Sequence, residues 1–163
     1  MLLHFPVPLR RKQAWKVLET AQATGKVRSI GVSNYTIRHL EEMTHYARVL
    51  PAVNQVEIHV FLQQPELLRY CAERNIIVEA YSPLAHARDM NEPVIQGLAA
   101  TYQKTYAQIM VKWCLQKGLI VLPKSVTPSR IRENIELFDF ELTKQDMQQL
   151  AQLDKNLRTC WSP

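Results

Sequence analysis

Two kinds of segment alternate along the chain. Short apolar runs read as strands: Leu2-Leu3-His4-Phe5, Val27 to Val32, Ala52 to Val60, Ile76 to Ala80 and Leu119 to Leu122. Stretches with helical spacing follow them. Arg10 to Thr24 carries Ala14, Trp15, Val17, Leu18 and Ala21 on one apolar face and ends at Gly25. Thr36 caps a helix reaching about Ala47, with Ile37, Leu40 and Met43 inward, and Pro65 opens another around Leu67, Leu68 and Cys71. Pro93 to Tyr102 and Thr105 to Lys117 are two more, the second built on Ile109, Val111, Trp113, Cys114 and Leu115 and closed by Gly118. Thr127 reads as an N-cap with Pro128 as the first helical residue, where a missing N–H costs nothing. Thr143 with Asp146 is a capping-box-like start for a last helix to about Leu153. His86 to Pro93 reads as a loop, Phe138 to Leu142 as a connection and Asn156 to Pro163 as a loose tail.

Strand then helix, repeated about five times, is the pattern of an α/β protein with a parallel sheet covered by helices. Ligands of such sheets sit at the C-terminal ends of the strands. The polar residues cluster there: His4, Ser33, Asn34, Asn54, Gln55, Tyr81, Ser82, Lys124 and Ser125. Singly, each has a structural explanation: a satisfied core histidine, a turn, a backbone-bonded amide or a packing tyrosine. Sharing one rim, they point to a binding pocket. The clearest stretch is Leu119 to Asn134, where a strand breaks at Pro123, shows Lys124 and Ser125, and enters a helix carrying Arg130, Arg132, Glu133 and Asn134. A helix N-terminus beside two cations suits an anion such as phosphate, because free N–H groups and the dipole both favour negative charge. The alternative is a well-capped surface helix with solvated bases.

Composition narrows the field. A chain of 163 residues, 47% hydrophobic, is the size of one domain with a sizeable core. The net charge of +5 is too diffuse for a nucleic-acid footprint but suits a small anion. Cys71, Cys114 and Cys160 are odd in number and match neither a disulfide framework nor a zinc pattern, which fits a reducing, cytoplasmic setting. The N-terminal residues do not have the order of a signal peptide, and no run is long enough to span a membrane. There is no Gly-rich dinucleotide fingerprint, no Walker sequence, no Gly-x-Ser-x-Gly and no pair of strand-end carboxylates. His39, His45, His59 and His86 show no metal-ligand spacing; His39 and His45 read as exposed, and His59 as the end of a strand.

The rim residues fall in five ordered motifs: Leu2-Leu3-His4-Phe5-Pro6, Gly25 to Asn34, Asn54-Gln55-Val56-Glu57, Ala80-Tyr81-Ser82-Pro83-Leu84 and Leu122 to Thr127. Together they resemble the aldo-keto reductase family over nearly the whole chain, with the prostaglandin F synthase or diketogluconate reductase-like branch as a possible subgroup. The resemblance implies a (β/α)8 TIM barrel and an NADPH-dependent oxidoreductase of aldehydes and ketones. It implies that Ser33, Asn34 and Gln55 hold the nicotinamide carboxamide and that Tyr81 stacks on the ring. Ser82 and Leu84 then follow the pyrophosphate. Lys124, Ser125, Val126, Thr127 and Arg130 hold the 2′-phosphate of NADP(H), with Glu133 and Asn134 near the adenine. His4 orients the substrate carbonyl.

The match departs from the family in its acid–base set. The family's catalytic Tyr, Lys and Asp have no counterpart here; Tyr35, Tyr46, Tyr70, Tyr102 and Tyr106 fall in helical or turn patterns, and His4 alone is matched. A barrel of this kind needs about 250 residues and eight strands. The expectation is therefore an incomplete barrel of about five β/α units lacking the N-terminal strands, one N-terminally truncated domain over residues 1–163, inactive alone. Open sheet edges then favour self-association. The alternative is a non-catalytic remnant that binds NADP weakly or only associates with other chains. Ala85-His86-Ala87 stands where relatives place a small residue near the pyrophosphate, so His86 either clashes with it or contacts it as a cation. Trp161, in the tail, either lines a substrate pocket or packs on the surface.

Overall fold

The strand and helix segments form in the order that their periodicity dictates. In a computed structural model of the chain, which describes residues 1–87 and 91–160, they are β1 (Leu2–Leu3), α1 (Arg11–Ala23), β2 (Gly31–Ser33), α2 (Ile37–Thr44), β3 (Val53–Glu57), α3 (Pro65–Ala72) and β4 (Ile77–Tyr81). A 3-10 turn (Ala85–Ala87), α4 (Pro93–Tyr102), α5 (Tyr106–Gln116), β5 (Ile120–Leu122), α6 (Pro128–Glu133) and α7 (Lys144–Ala151) follow. The strands make a five-stranded sheet in the order β1-β2-β3-β4-β5, with parallel pairing of Leu3 with Val32 and of Ser33 with Gln55. This is the expected α/β architecture. Trp161 lies outside the described residues, as does part of the His86–Pro93 loop.

The chain packs as two compact units. The first comprises Met1–Val56 and Pro65–Glu79. Its core holds Trp15, Leu18, Ile30, Val32, Leu40 and Met43, and Trp15 keeps its indole N–H satisfied by donating to the Val49 carbonyl at 3.1 Å. Cys71 is buried here, as its helical position implies. The second unit comprises Glu57–Gln64 and Ala80–Cys160. Its core is built on Ile95, Ile109, Met110, Trp113 and Cys114, all excluded from solvent. Buried Lys112 on α5 is offset by donating from Nζ to the Leu137 carbonyl at 3.0 Å and to Glu141 Oε1 at 2.7 Å. Capping boxes start α5, between Thr105 and Gln108, and α7, between Thr143 and Asp146.

Several local expectations are corrected. Val27–Ile30 does not join β2, because ladder pairing begins only at Gly31 with β1 and at Val32 with β3. The apolar run through Val60 is not one strand; after Glu57 the chain folds back so that His59 and Leu62 bridge each other. Val17 is exposed, off the buried stripe of Trp15 and Leu18. His39 is part-buried and accepts the Thr36 N–H at Nδ1 at 3.3 Å, completing the cap of α2. Burial holds its pKa below the ordinary value, so the ring that accepts this bond is neutral. Thr127 precedes α6 but does not cap it through its side chain; its N–H is taken by Ser125 Oγ at 3.1 Å.

Gly31 leaves no room for a side chain between β1 and β3. A Cβ there would stand 2.7 Å from both Leu2 Cδ2 and the Val53 carbonyl oxygen. Gly31→Ala is expected to destabilise the chain by about 1–3 kcal/mol through overpacking. Urea unfolding checks this; an unchanged midpoint would mean that the flanking strands can move apart freely.

Candidate active site

In the first unit the strand ends carry His4, Ser33, Asn34 and Gln55, as the motifs imply. Parallel pairing puts Ser33 level with Gln55. Ser33 Oγ donates to the Gln55 carbonyl at 2.8 Å, and the Asn34 N–H donates to the same oxygen at 2.9 Å. Asn34 Nδ2 reaches the His4 carbonyl at 3.1 Å and Ser33 Oγ at 3.2 Å. Asn34 holds φ at 62°, a left-handed conformation that asparagine tolerates better than most residues. Gln55 Nε2 donates to Glu79 Oε2 at 2.7 Å, so Glu79, missed by the motif reading, fixes which end of that amide faces away. Asn54 lies on the other face of β3, exchanging hydrogen bonds with the backbone of Tyr35, and belongs to the core. His4 is exposed.

In the second unit, Leu84, Lys124, Ser125, Arg130, Glu133 and Asn134 line one cavity of about 390 Å³, together with His86, Ala87, Thr105, Tyr106 and Ala107. Val126 and Thr127 do not line it; both are exposed. Two cations and a serine hydroxyl thus face a concave surface. Glu133 lines the same cavity, and its carboxylate accepts from Thr105 Oγ1 at 2.6 Å. Gln108 Nε2 donates to the Glu133 and Glu136 carbonyls, which ties the end of α6 to the start of α5. Thr105 reads in the sequence only as the start of a helix, so its place on the wall of this cavity was not readable there.

Tyr81 and Ser82 close β4. Burial, reinforced by the nearby Glu57 charge, pushes the Tyr81 phenol up to about 12, which keeps it protonated at neutral pH. Glu57 itself is 0% exposed and organises this region. Its Oε1 accepts the Thr159 N–H at 2.7 Å, the Thr159 hydroxyl at 2.5 Å and His59 Nε2–H at 3.2 Å, while Oε2 accepts the Cys160 N–H at 3.2 Å. Arg158 lies 3.7 Å from the same carboxylate. Burial alone would raise the Glu57 pKa, but these donors outweigh it and hold the carboxyl below its usual range. His59 is likewise fully buried, not merely the end of a strand, and burial holds its pKa below the ordinary value. The tail through Cys160 is therefore not loose: Lys155 and Leu157 also donate their N–H groups to the Phe61 carbonyl.

Residues 1–155 match the model of the aldo/keto reductase family. The oxidoreductase YtbE of Bacillus subtilis is 46% identical over 157 residues, covering 96% of this chain and 56% of the relative. The glyoxal reductase of the same organism is 41% identical over 162 residues, covering 99% and 59%. A Bombyx mori aldo-keto reductase solved in complex with NADP superposes with a TM-score of 0.90 at 30% identity, covering 98% of this chain and 58% of that one. The chain belongs to the aldo/keto reductase family. It presents five strand–helix units of the (β/α)8 class and spans little more than half the length of the curated relatives it matches. Among the described residues no helix is long and apolar enough to cross a membrane, and no group of three or more His, Cys, Asp or Glu side chains is placed to hold a metal.

The Glu57 node sets a pH dependence. Glu57 and His59 both have depressed pKa values in the folded chain. Their stabilisation is present at neutral pH and is lost on acidification, first below His59's unfolded value of about 6.5 and further below about 4.3 for Glu57. The urea midpoint is expected to be lower at pH 5 than at pH 7. Glu57→Gln should cost roughly 2–4 kcal/mol at pH 7, because the buried donors lose their charged acceptor. A variant as stable as the parent would remove Glu57 as the anchor of the C-terminal segment.

Proposed function

We propose that the chain binds NADP(H) and serves the reduction of an aldehyde or ketone carbonyl. The observation that carries this reading is the cavity on which Leu84, Lys124, Ser125, Arg130, Glu133 and Asn134 converge. Its two cations and hydroxyl have the charge and donor chemistry of a phosphate-monoester site, the group that distinguishes NADPH from NADH. Lys124, Ser125 and Arg130 would take the 2′-phosphate, with Val126 and Thr127 supplying neighbouring backbone and Glu133 and Asn134 the adenine contacts. Ser82 and Leu84 would follow the pyrophosphate, and the uncharged Tyr81 phenol ring would pack on the nicotinamide. In the first unit, Ser33, Asn34 and Gln55 would hold the carboxamide. Their mutual hydrogen bonds, and the Gln55–Glu79 bond, pre-set the direction of each amide, which lowers the cost of ordering them on binding. His4 would orient the substrate carbonyl by hydrogen bonding. When bound, the dinucleotide supplies the hydride.

Small carbonyl compounds are the substrates to try first, glyoxal among them, since a relative bears that name. Among these 163 residues His4 alone matches the family's four catalytic side chains, so the chain by itself is expected to bind the cofactor without turning it over at an enzymatic rate. NADPH consumption with glyoxal at such a rate would refute that expectation. The phosphate assignment is tested by calorimetric titration. Lys124→Met and Arg130→Leu should each weaken NADPH binding by roughly 10–100-fold, the worth of a charge-assisted hydrogen bond, with NADH affected far less. Equal losses for the two cofactors would exclude a 2′-phosphate at this site.

A further inference from the structure

Within the second unit two side chains, Cys160 and Ser82, meet on the Nε2 of His86. Cys160 Sγ lies 3.0 Å from His86 Nε2 and 3.4 Å from Ser82 Oγ, and Ser82 Oγ lies 3.3 Å from the same Nε2. Thr159 Oγ1 is also near, 4.0 Å from the sulfur, but its hydrogen goes to Glu57. A thiol against an imidazole acceptor can pass its proton to the ring, and the resulting thiolate is the nucleophilic form of cysteine. The contact is held from both sides. The Glu57 carboxylate fixes Cys160 by its N–H and Thr159 by two hydrogen bonds. His86 sits in a run of three left-handed residues, closed by the Ala85 N–H to the Ser82 carbonyl at 2.9 Å and the Ala87 N–H to the Leu84 carbonyl at 2.8 Å. Cys160 is half-buried. Cys71 and Cys114 are buried, and burial pushes both thiols up.

We propose that Cys160 is a modification site: a nucleophilic thiol that His86 deprotonates and that hydrogen peroxide oxidises to a sulfenic acid. The thiolate sulfur attacks one peroxide oxygen and the O–O bond breaks. The departing hydroxide takes the proton from the His86 imidazolium and leaves as water. Sulfur gives up the two electrons that reduce the peroxide, and the products are Cys160–SOH and a neutral imidazole. The Ser82 hydroxyl supplies a hydrogen bond to the thiolate or to the incoming oxygen. His86 also lines the cavity that holds Lys124 and Arg130, so the oxidation state of Cys160 bears on one wall of that cavity.

The experiment follows each cysteine of the full chain by mass spectrometry, with iodoacetamide as one probe and peroxide followed by dimedone as the other. Near neutral pH, Cys160 is expected to be alkylated about tenfold faster in the parent than in His86→Ala, with the two rates converging at about pH 9.5, where any accessible thiol ionises. His86→Asn, which keeps a polar side chain but no base, should show the same loss. The dimedone adduct should map to Cys160, not to Cys71 or Cys114, and should fall in both variants. Should His86→Ala unfold, seen as fast labelling of Cys114, His86→Asn carries the comparison. Equal alkylation rates in the parent and the folded variant near neutral pH, or no dimedone adduct at Cys160 after peroxide, would overturn the proposal.

Discussion

The buried carboxylate of Glu57 is the constraint around which the second unit is arranged. A charge removed from water costs several kcal/mol unless donors replace its hydration. Here the replacements come from His59, two residues on, and from Thr159 and Cys160 at the far end of the chain. Neither segment can move without stranding the charge. The same mutual dependence extends through Phe61, whose carbonyl accepts from Lys155 and Leu157, and through Gln63, whose amide donates to the carbonyls of Val60, Leu150 and Ala151. The fold-back after β3, α7 and the C-terminal segment are thereby one hydrogen-bonded body, and the position of Cys160 follows from it.

The strand ends of the first unit obey a similar economy. Ser33 and Asn34 are buried polar residues, and each hydrogen bond that makes them tolerable there also sets their direction. The Gln55 carbonyl takes two donors, from Ser33 and from the Asn34 backbone, while the Gln55 side chain is turned by Glu79. Groups that satisfy the sheet's polar atoms are thus also the groups proposed to meet a carboxamide. A substitution among them would disturb strand pairing and binding together, so loss of binding alone does not assign such a residue to the ligand.

Helices were the most legible part of the sequence. α4 follows its expected bounds and α5 lies inside its caps, because 3.6-residue periodicity and capping residues are local properties. Strand lengths were less readable. Ile58, Val60, Phe61 and Leu62 are apolar because they are buried, not because they pair in a ladder, and periodicity does not separate the two. β2 is short because pairing with β1 and β3 together reaches only Gly31 to Ser33, which only the assembled sheet reveals. The stretch Leu119 to Asn134 pointed to the cavity residues Lys124, Ser125 and Arg130, whose side chains suit an anion, and the resemblance added Glu133 and Asn134. Neither located Glu79, Thr105 or the tie between Glu57 and Thr159, since each depends on a partner distant in sequence.

The turn after β4 shows why one histidine carries weight. Ser82, Ala85, His86 and Ala87 all have φ between 49° and 60° without being glycine. Each such residue costs about 1–2 kcal/mol. Two backbone hydrogen bonds and the full burial of Ala85 offset part of that cost. Glycine at 86 would relieve the strain at that position but would remove the imidazole that meets both Ser82 and Cys160. Strain retained at a residue with a reactive neighbour is a reason to look for chemistry there. The two backbone hydrogen bonds, Ala85 N–H to Ser82 and Ala87 N–H to Leu84, hold in one place a residue that lines a cation-lined cavity on one side and meets a thiol on the other.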